Sequence, residues 1–125
     1  MLTTPRALLD SFLGAFSRLD LDAMLACFAP QATAFFPVAH QQTRLDDKAA
    51  IAAAFAAVLA QLRATRMTSL PIAAENLVVQ EWDDTAVATF HLRGVYLSRR
   101  TLVLQRGAGE WRIVHLHASN ASFAD

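Results

Sequence analysis

The apolar pattern of this chain changes period near its middle, and that change constrains the fold more than any other feature. Through about Leu62 the apolar residues recur at helical spacing, and from about Leu70 they alternate or run in segments of strand length. In the first half, Thr4 is placed to cap a helix opened by Pro5, where a missing N–H costs nothing. Leu8, Leu9, Phe12, Leu13, Phe16 and Leu19 give that helix one apolar stripe. Asp20 reads as a second N-cap, with Leu21, Met24, Leu25 and Phe28 on the next apolar face. Pro30 ends it, because proline lacks the donor and disfavours helix in the residue before it. Thr33 to Phe36 is short, β-prone and bounded by prolines, hence a brief strand or an extended lip. Asp46 or Asp47 caps a third helix with Ile51, Phe55, Val58, Leu59 and Leu62 on one side.

In the second half, turn chemistry at Asp83-Asp84, Gly94 and Gly107-Ala108-Gly109 separates the strand-length segments. Strands are predicted near Leu70–Glu81, Thr85–Leu92, Val95–Gln105 and Trp111–Ser119. Helices followed by hairpin-linked strands describe an α+β fold, with helices packed on one face of an antiparallel sheet. The 125 residues read as one domain over 1–125, without repeat, linker or low-complexity tract.

Composition narrows the function classes. With 54% hydrophobic and 18% charged residues, the chain has enough apolar surface to offset chain entropy, which excludes disorder. Eleven basic and eleven acidic side chains cancel, arguing against a nucleic-acid or anionic-membrane partner. Cys27, the one cysteine, excludes a disulfide framework and a cysteine-based zinc site. Met1 to Arg6 lack a secretion pattern, and the longest apolar run, Ala49 to Ala60, is well short of the ~20 residues of a membrane span, so a soluble, cytoplasmic protein is expected. The 25 alanines, and ten arginines against the single Lys48, read as the bias of a GC-rich bacterial genome.

The last two strands carry the most information. Strict alternation puts Trp111, Ile113, His115, His117 and Ser119 on one face and Arg112, Val114, Leu116 and Ala118 on the other. A hairpin turning at Ala108-Gly109 sets Arg106 opposite Trp111, Leu104 opposite Ile113, Leu102 opposite His115 and Arg100 opposite His117. Arg100 and both histidines then point the same way. Both faces are too apolar for water, so one is expected to face the helices and the other a second subunit. The homodimer is expected through an outer face that carries Val103, Val114 and Leu116.

The order of elements, the segment Cys27-Phe28-Ala29-Pro30-Gln31-Ala32-Thr33-Ala34-Phe35-Phe36-Pro37 and the stretch from Arg106 to Ser119 together resemble the nuclear transport factor 2-like superfamily. Within it, the second segment resembles the helix-to-lip region of the calcium/calmodulin-dependent protein kinase II association domain. The third is similar to the closing strand of that domain and of the SnoaL-like branch. The resemblance implies a cone-shaped α+β fold with a curved sheet around a pocket. It is a weak guide to function, because this fold hosts isomerases, cyclases, dehydratases and non-catalytic association modules. It also implies a pocket arginine on the strand before the last. Counting back from Trp111 puts Leu102 at that position, with Arg100 one pleat away on the same face; a second pocket arginine falls near His91.

The candidate ligand-binding residues are therefore His115, His117, Arg100, Trp111, His91 and Tyr96. His115 and His117 share a face and are able to contact a ligand, to ligate a metal, or to serve as hydrogen-bonded core histidines beside Trp111. No metal is assigned, since a catalytic metal normally takes three protein ligands, and only His40 and His91 remain. No cofactor is expected either. Arg100 is either a solvated edge charge or a pocket guanidinium suited to a carboxylate. Tyr96 is a hydrogen-bond donor to a ligand or an edge cap, and Trp111 is a core candidate as well. Whether the chain is an enzyme stays open. One expectation is a domain that binds a small molecule, such as a small organic acid. The alternatives are a SnoaL-like isomerase, cyclase or hydrolase using a pocket histidine as general acid/base, and a non-catalytic association module.

Overall fold

The fold comes from a computed structural model that describes residues 2–38, 41–94 and 97–121. Helices α1 (Pro5–Ser17), α2 (Leu21–Leu25) and α3 (Lys48–Ala64) pack against five strands, β1 (Phe28–Phe35), β2 (Glu75–Trp82), β3 (Thr85–Arg93), β4 (Leu97–Gly107) and β5 (Glu110–Ala121). Each helix starts at the residue type that satisfies its first free N–H groups. Thr4, Asp20 and Asp47 accept from the backbone N–H of Ala7, Ala23 and Ala50 at 3.0, 3.1 and 2.8 Å. None of these helices is long and apolar enough to cross a membrane.

The strands form one sheet in the order β1-β5-β4-β3-β2. Its two hairpins turn where expected. Trp82 pairs with Thr85 across Asp83-Asp84, and Gly107 pairs with Glu110 across Ala108-Gly109. Ala108 and Gly109 both have positive φ, 52° and 79°, the backbone twist that a two-residue hairpin loop needs.

The first edge corrects the sequence reading. Thr33–Phe36, expected as a brief strand or an extended lip, contributes Thr33–Phe35 to a longer, eight-residue strand, β1, which runs parallel to β5 with Thr33 beside His115 and Phe35 beside His117. Helix α2 accordingly stops at Leu25, before Pro30 is reached. Pro30 is tolerated inside β1 because it lies on an edge strand, where the register shifts between Phe28 and Thr33. The sheet is thus antiparallel except at this edge.

The core lies between the helices and the inner face of the sheet. Phe12, Phe16, Phe28, Phe36 and Phe55 meet mainly edge-on and tilted, with ring centroids 4.7–6.3 Å apart. Beneath them Ala86, Ala88, Leu102, Leu104, Trp111, Ile113 and Leu116 are buried. Arg63 ties the end of α3 to the connection between α1 and α2 by donating from Nη2 to the Leu19 carbonyl at 2.6 Å.

Candidate functional site

One extra residue in β5 decides which side chains reach the pocket. Leu104 pairs with Ile113, but its neighbour Val103 pairs with His115, so Val114 has no counterpart on β4 and forms a bulge. Beyond the bulge, Leu102 faces Leu116, Thr101 faces His117 and Arg100 faces Ala118. The alternation flips there. Trp111, Ile113, Leu116 and Ala118 are all buried on the helix side, while His115 is half-buried and His117 exposed on the outer face.

The expected grouping of Arg100 with His115 and His117 is therefore corrected. The bulge turns the histidines outward and leaves Arg100 inside. Leu116, assigned to the outer face, belongs to the core, and Arg100 lies opposite Ala118 rather than His117. His91 pairs with Arg99 on the outer face, so it is also away from Arg100. Trp111 is 1% exposed; its backbone N–H donates to the Leu2 carbonyl at 2.8 Å, and the Arg106 guanidinium lies 5.6 Å from its ring. It is a core residue. Tyr96 and His40 lie outside the described residues.

Inside the cone, Arg100 lines a pocket of about 330 Å³ formed by Phe16, the Pro37-Val38 and Leu70–Ala73 segments, Leu92–Gly94, Ser98 and Asn120. The expected strand from Leu70 begins only at Glu75, so Leu70–Ala73 is free to form a pocket wall, as is Pro37-Val38 after β1. Asn120 is held by donating to the Pro37 carbonyl at 3.3 Å. Leu70 is anchored to α1 through Ser17, whose hydroxyl donates to the Leu70 carbonyl at 2.7 Å while the Leu70 N–H donates back to the Ser17 carbonyl at 2.8 Å.

Arg100 donates from Nε to the Ser98 hydroxyl at 2.8 Å. Among the described residues no carboxylate pairs with it, in contrast to Arg6, Arg44, Arg93, Arg106 and Arg112, each of which meets an Asp or Glu. Burial pulls its pKa down from the usual guanidinium range to about 10, so at neutral pH it carries a full charge in poorly solvated surroundings. A desolvated guanidinium beside open space, whose Nη groups have no partner among the described residues, is the arrangement that receives a planar anion in two parallel hydrogen bonds. Among the described residues no imidazole or carboxylate side chain lines this pocket.

On the outer face, Thr33 Oγ1 and His115 Nδ1 are 2.8 Å apart, and the Phe35 ring lies 5.9 Å from His115 and 5.3 Å from His117. Burial first, and then the neighbouring His117, hold the His115 pKa below its usual value. No group of three or more metal-binding side chains occurs among the described residues. Cys27 is buried, and burial pushes its thiol pKa up, so it is a poor nucleophile.

With this geometry in view, comparison with known proteins gives a family and a fold. The SnoaL-like domain family matches residues 6–123. Two solved structures are each 23% identical with a TM-score of 0.78. One is an NTF2-like protein of unknown function from Pseudomonas putida KT2440, covering 91% of this chain and 82% of that one. The other, from Thiobacillus denitrificans, is provisionally assigned as a calcium/calmodulin-dependent protein kinase type II association domain and covers 98% of both chains. A provisionally assigned ketosteroid isomerase from Parabacteroides distasonis is 19% identical, with a TM-score of 0.76 over 97% of this chain and 90% of that one. At such identities these likenesses establish the cone fold alone. No curated protein matches the chain.

Proposed function

The chain belongs to the SnoaL-like domain family, and from that premise we propose that it binds a small organic anion on Arg100 in the pocket between helices and sheet. The observation that supports this reading most is the Arg100 guanidinium itself, desolvated and without a carboxylate partner among the described residues. A buried charge left unpaired is costly, and a bound anion removes that cost. The histidines on which a general acid/base role was expected to rest stand on the other face of the sheet, so binding without catalysis is the reading this geometry favours. The test is thermal denaturation with small carboxylates and their matched amides, on wild type and on Arg100→Ala. A ligand specific for the native state adds roughly 2.7 kcal/mol at a hundredfold excess over Kd, which raises Tm by several degrees. Acids should shift the wild type and leave Arg100→Ala unmoved. Equal shifts by acids and amides would overturn the reading.

A second reading, compatible with the first, is assembly into a homodimer through the outer sheet face. It is favoured by the composition of that face. Phe35, Val87, Val103 and Val114 are half-buried there, and Val78 and Trp82 at its margin are 52% and 56% exposed. The likeness to a protein provisionally assigned as an association domain points the same way. Light scattering should report a particle of twice the 13.7 kDa chain mass, and Val103→Glu should return it to the monomer. A wild-type monomer across working concentrations would refute the dimer.

A further inference from the structure

The pocket continues past Arg100. A smaller chamber of about 90 Å³ adjoins the first, and Phe16, Pro37, Val38 and Arg100 line both. Its remaining walls are Phe36, Phe55, Val58 and Leu116, all apolar. Arg100 thus stands at a junction, with a roomier chamber bearing Arg93, Ser98 and Asn120 on one side and a narrower, half-open apolar recess on the other. Water finds few hydrogen-bond partners on walls of this kind, so an apolar group displaces it at little cost.

We propose that the recess selects the ligand by its tail: the preferred ligand is a short, branched aliphatic carboxylate whose carboxylate pairs with Arg100 and whose three or four carbons fill the space between Phe36, Phe55, Val58 and Leu116. The inference rests on the anion reading of Arg100 and adds a size limit to it. A cavity of 90 Å³ is about three times the share of one water in the liquid, at roughly 30 Å³. An apolar cavity of about 150 Å³ is known to admit benzene, so a recess of 90 Å³ takes an isopropyl or isobutyl group and excludes a phenyl ring. The wall chemistry adds a second filter. Apart from Arg100 no polar side chain among the described residues lines the recess, so a hydroxyl or amine on the tail would lose its hydrogen bonds to water without replacement. Each buried carbon should tighten binding about fourfold, and the gain should stop when the recess is full.

The experiment is a calorimetric titration with acetate, propionate, isobutyrate, isovalerate, hexanoate and phenylacetate. It uses wild type, Arg100→Gln, and Val58→Leu, which narrows the recess without touching the guanidinium. Methyl chemical shifts of Val58 and Leu116 are followed in parallel. The expected result is an optimum at isovalerate, roughly fiftyfold tighter than acetate, with weaker binding of hexanoate and phenylacetate. Val58→Leu should cut the isovalerate affinity by tenfold or more while acetate is little changed, and the two methyl groups should shift with isovalerate. If carboxylates bind in an Arg100-dependent way but show no optimum, or Val58→Leu has no effect, the tail inference fails and the anion reading stands. If no carboxylate binds, or Arg100→Gln binds as wild type does, both fall.

Discussion

The two faces of the β4–β5 hairpin are built from the same short run of residues, yet they do different work. Inward, Leu102, Leu104, Ile113 and Leu116 seal the core, and Arg100 is the charged group that this side turns into open space. Outward, His115 and His117 stand among Thr33, Phe35, Thr101 and Val103, where imidazoles keep access to solvent and to one another. The division depends on one residue. Without the bulge at Val114, Leu116 would face out and the histidines would face the pocket, giving a cavity with titratable groups in the physiological range. With it, the pocket holds a guanidinium that stays charged to about pH 10, while His115, whose pKa burial lowers, stands on the outer face.

The largest effect that separates the faces concerns stability. Leu116→Ala should cost about 2–5 kcal/mol, since the side chain is fully buried and its loss leaves a cavity. His117→Ala, on the exposed side, should cost under about 1 kcal/mol. Urea denaturation at one fixed protein concentration measures both. The reverse order would restore the unbulged register.

A smaller and opposite effect is expected inside the pocket. Arg100→Leu removes a desolvated charge that no carboxylate neutralises among the described residues, so the ligand-free protein should gain about 1 kcal/mol. That figure is well below what the full pKa displacement would suggest, because the guanidinium still borders open space and is partly screened. A melting scan without added acid should show the variant a few degrees above wild type. A lower Tm would mean that Arg100 serves structure more than binding.

The smallest effect is the pH dependence of the outer face. The folded-state pKa of His115 is lowered, so between that value and its ordinary 6.5 the unfolded chain binds more proton than the folded one. The stability this group contributes is present above pH 6.5 and is lost as pH falls through the lowered value. His115→Gln should flatten the denaturation midpoint between pH 5 and 7, whereas Arg100→Gln should leave the slope in that window unchanged. An unaltered slope in His115→Gln would show that the histidine is as solvated folded as unfolded.

Much of the fold was legible because its signals are local. The caps Thr4, Asp20 and Asp47 and the loops Asp83-Asp84 and Ala108-Gly109 lie where their chemistry requires. For Arg100 the alternation placed it on the face of Leu102 and Leu104 and left open whether that meant a pocket or an edge, and the partner named for it, His117, was wrong. The bulge was illegible for a physical reason. Ile113, Val114, His115, Leu116 and His117 can each sit half-buried, so the segment satisfies either phase of the alternation, and only packing against the helices chooses between them. Pro30 misled in a related way: proline blocks a central strand but not an edge one, and sequence does not reveal which strand will be the edge. The recess beyond Arg100 was hidden because Phe36, Phe55, Val58 and Leu116 come from four separate places in the chain.

The central claim is that the inner face binds and the outer face does not, and one titration tests it directly. Arg100 Nε–H and the Cε1–H groups of His115 and His117 give separate nuclear magnetic resonance signals, observable in a single sample as isovalerate is added at constant pH. The account predicts that the Arg100 resonance moves and saturates while both imidazole signals stay in place. Saturable movement of the imidazole signals with Arg100 unmoved would put the anion on the outer face and contradict it.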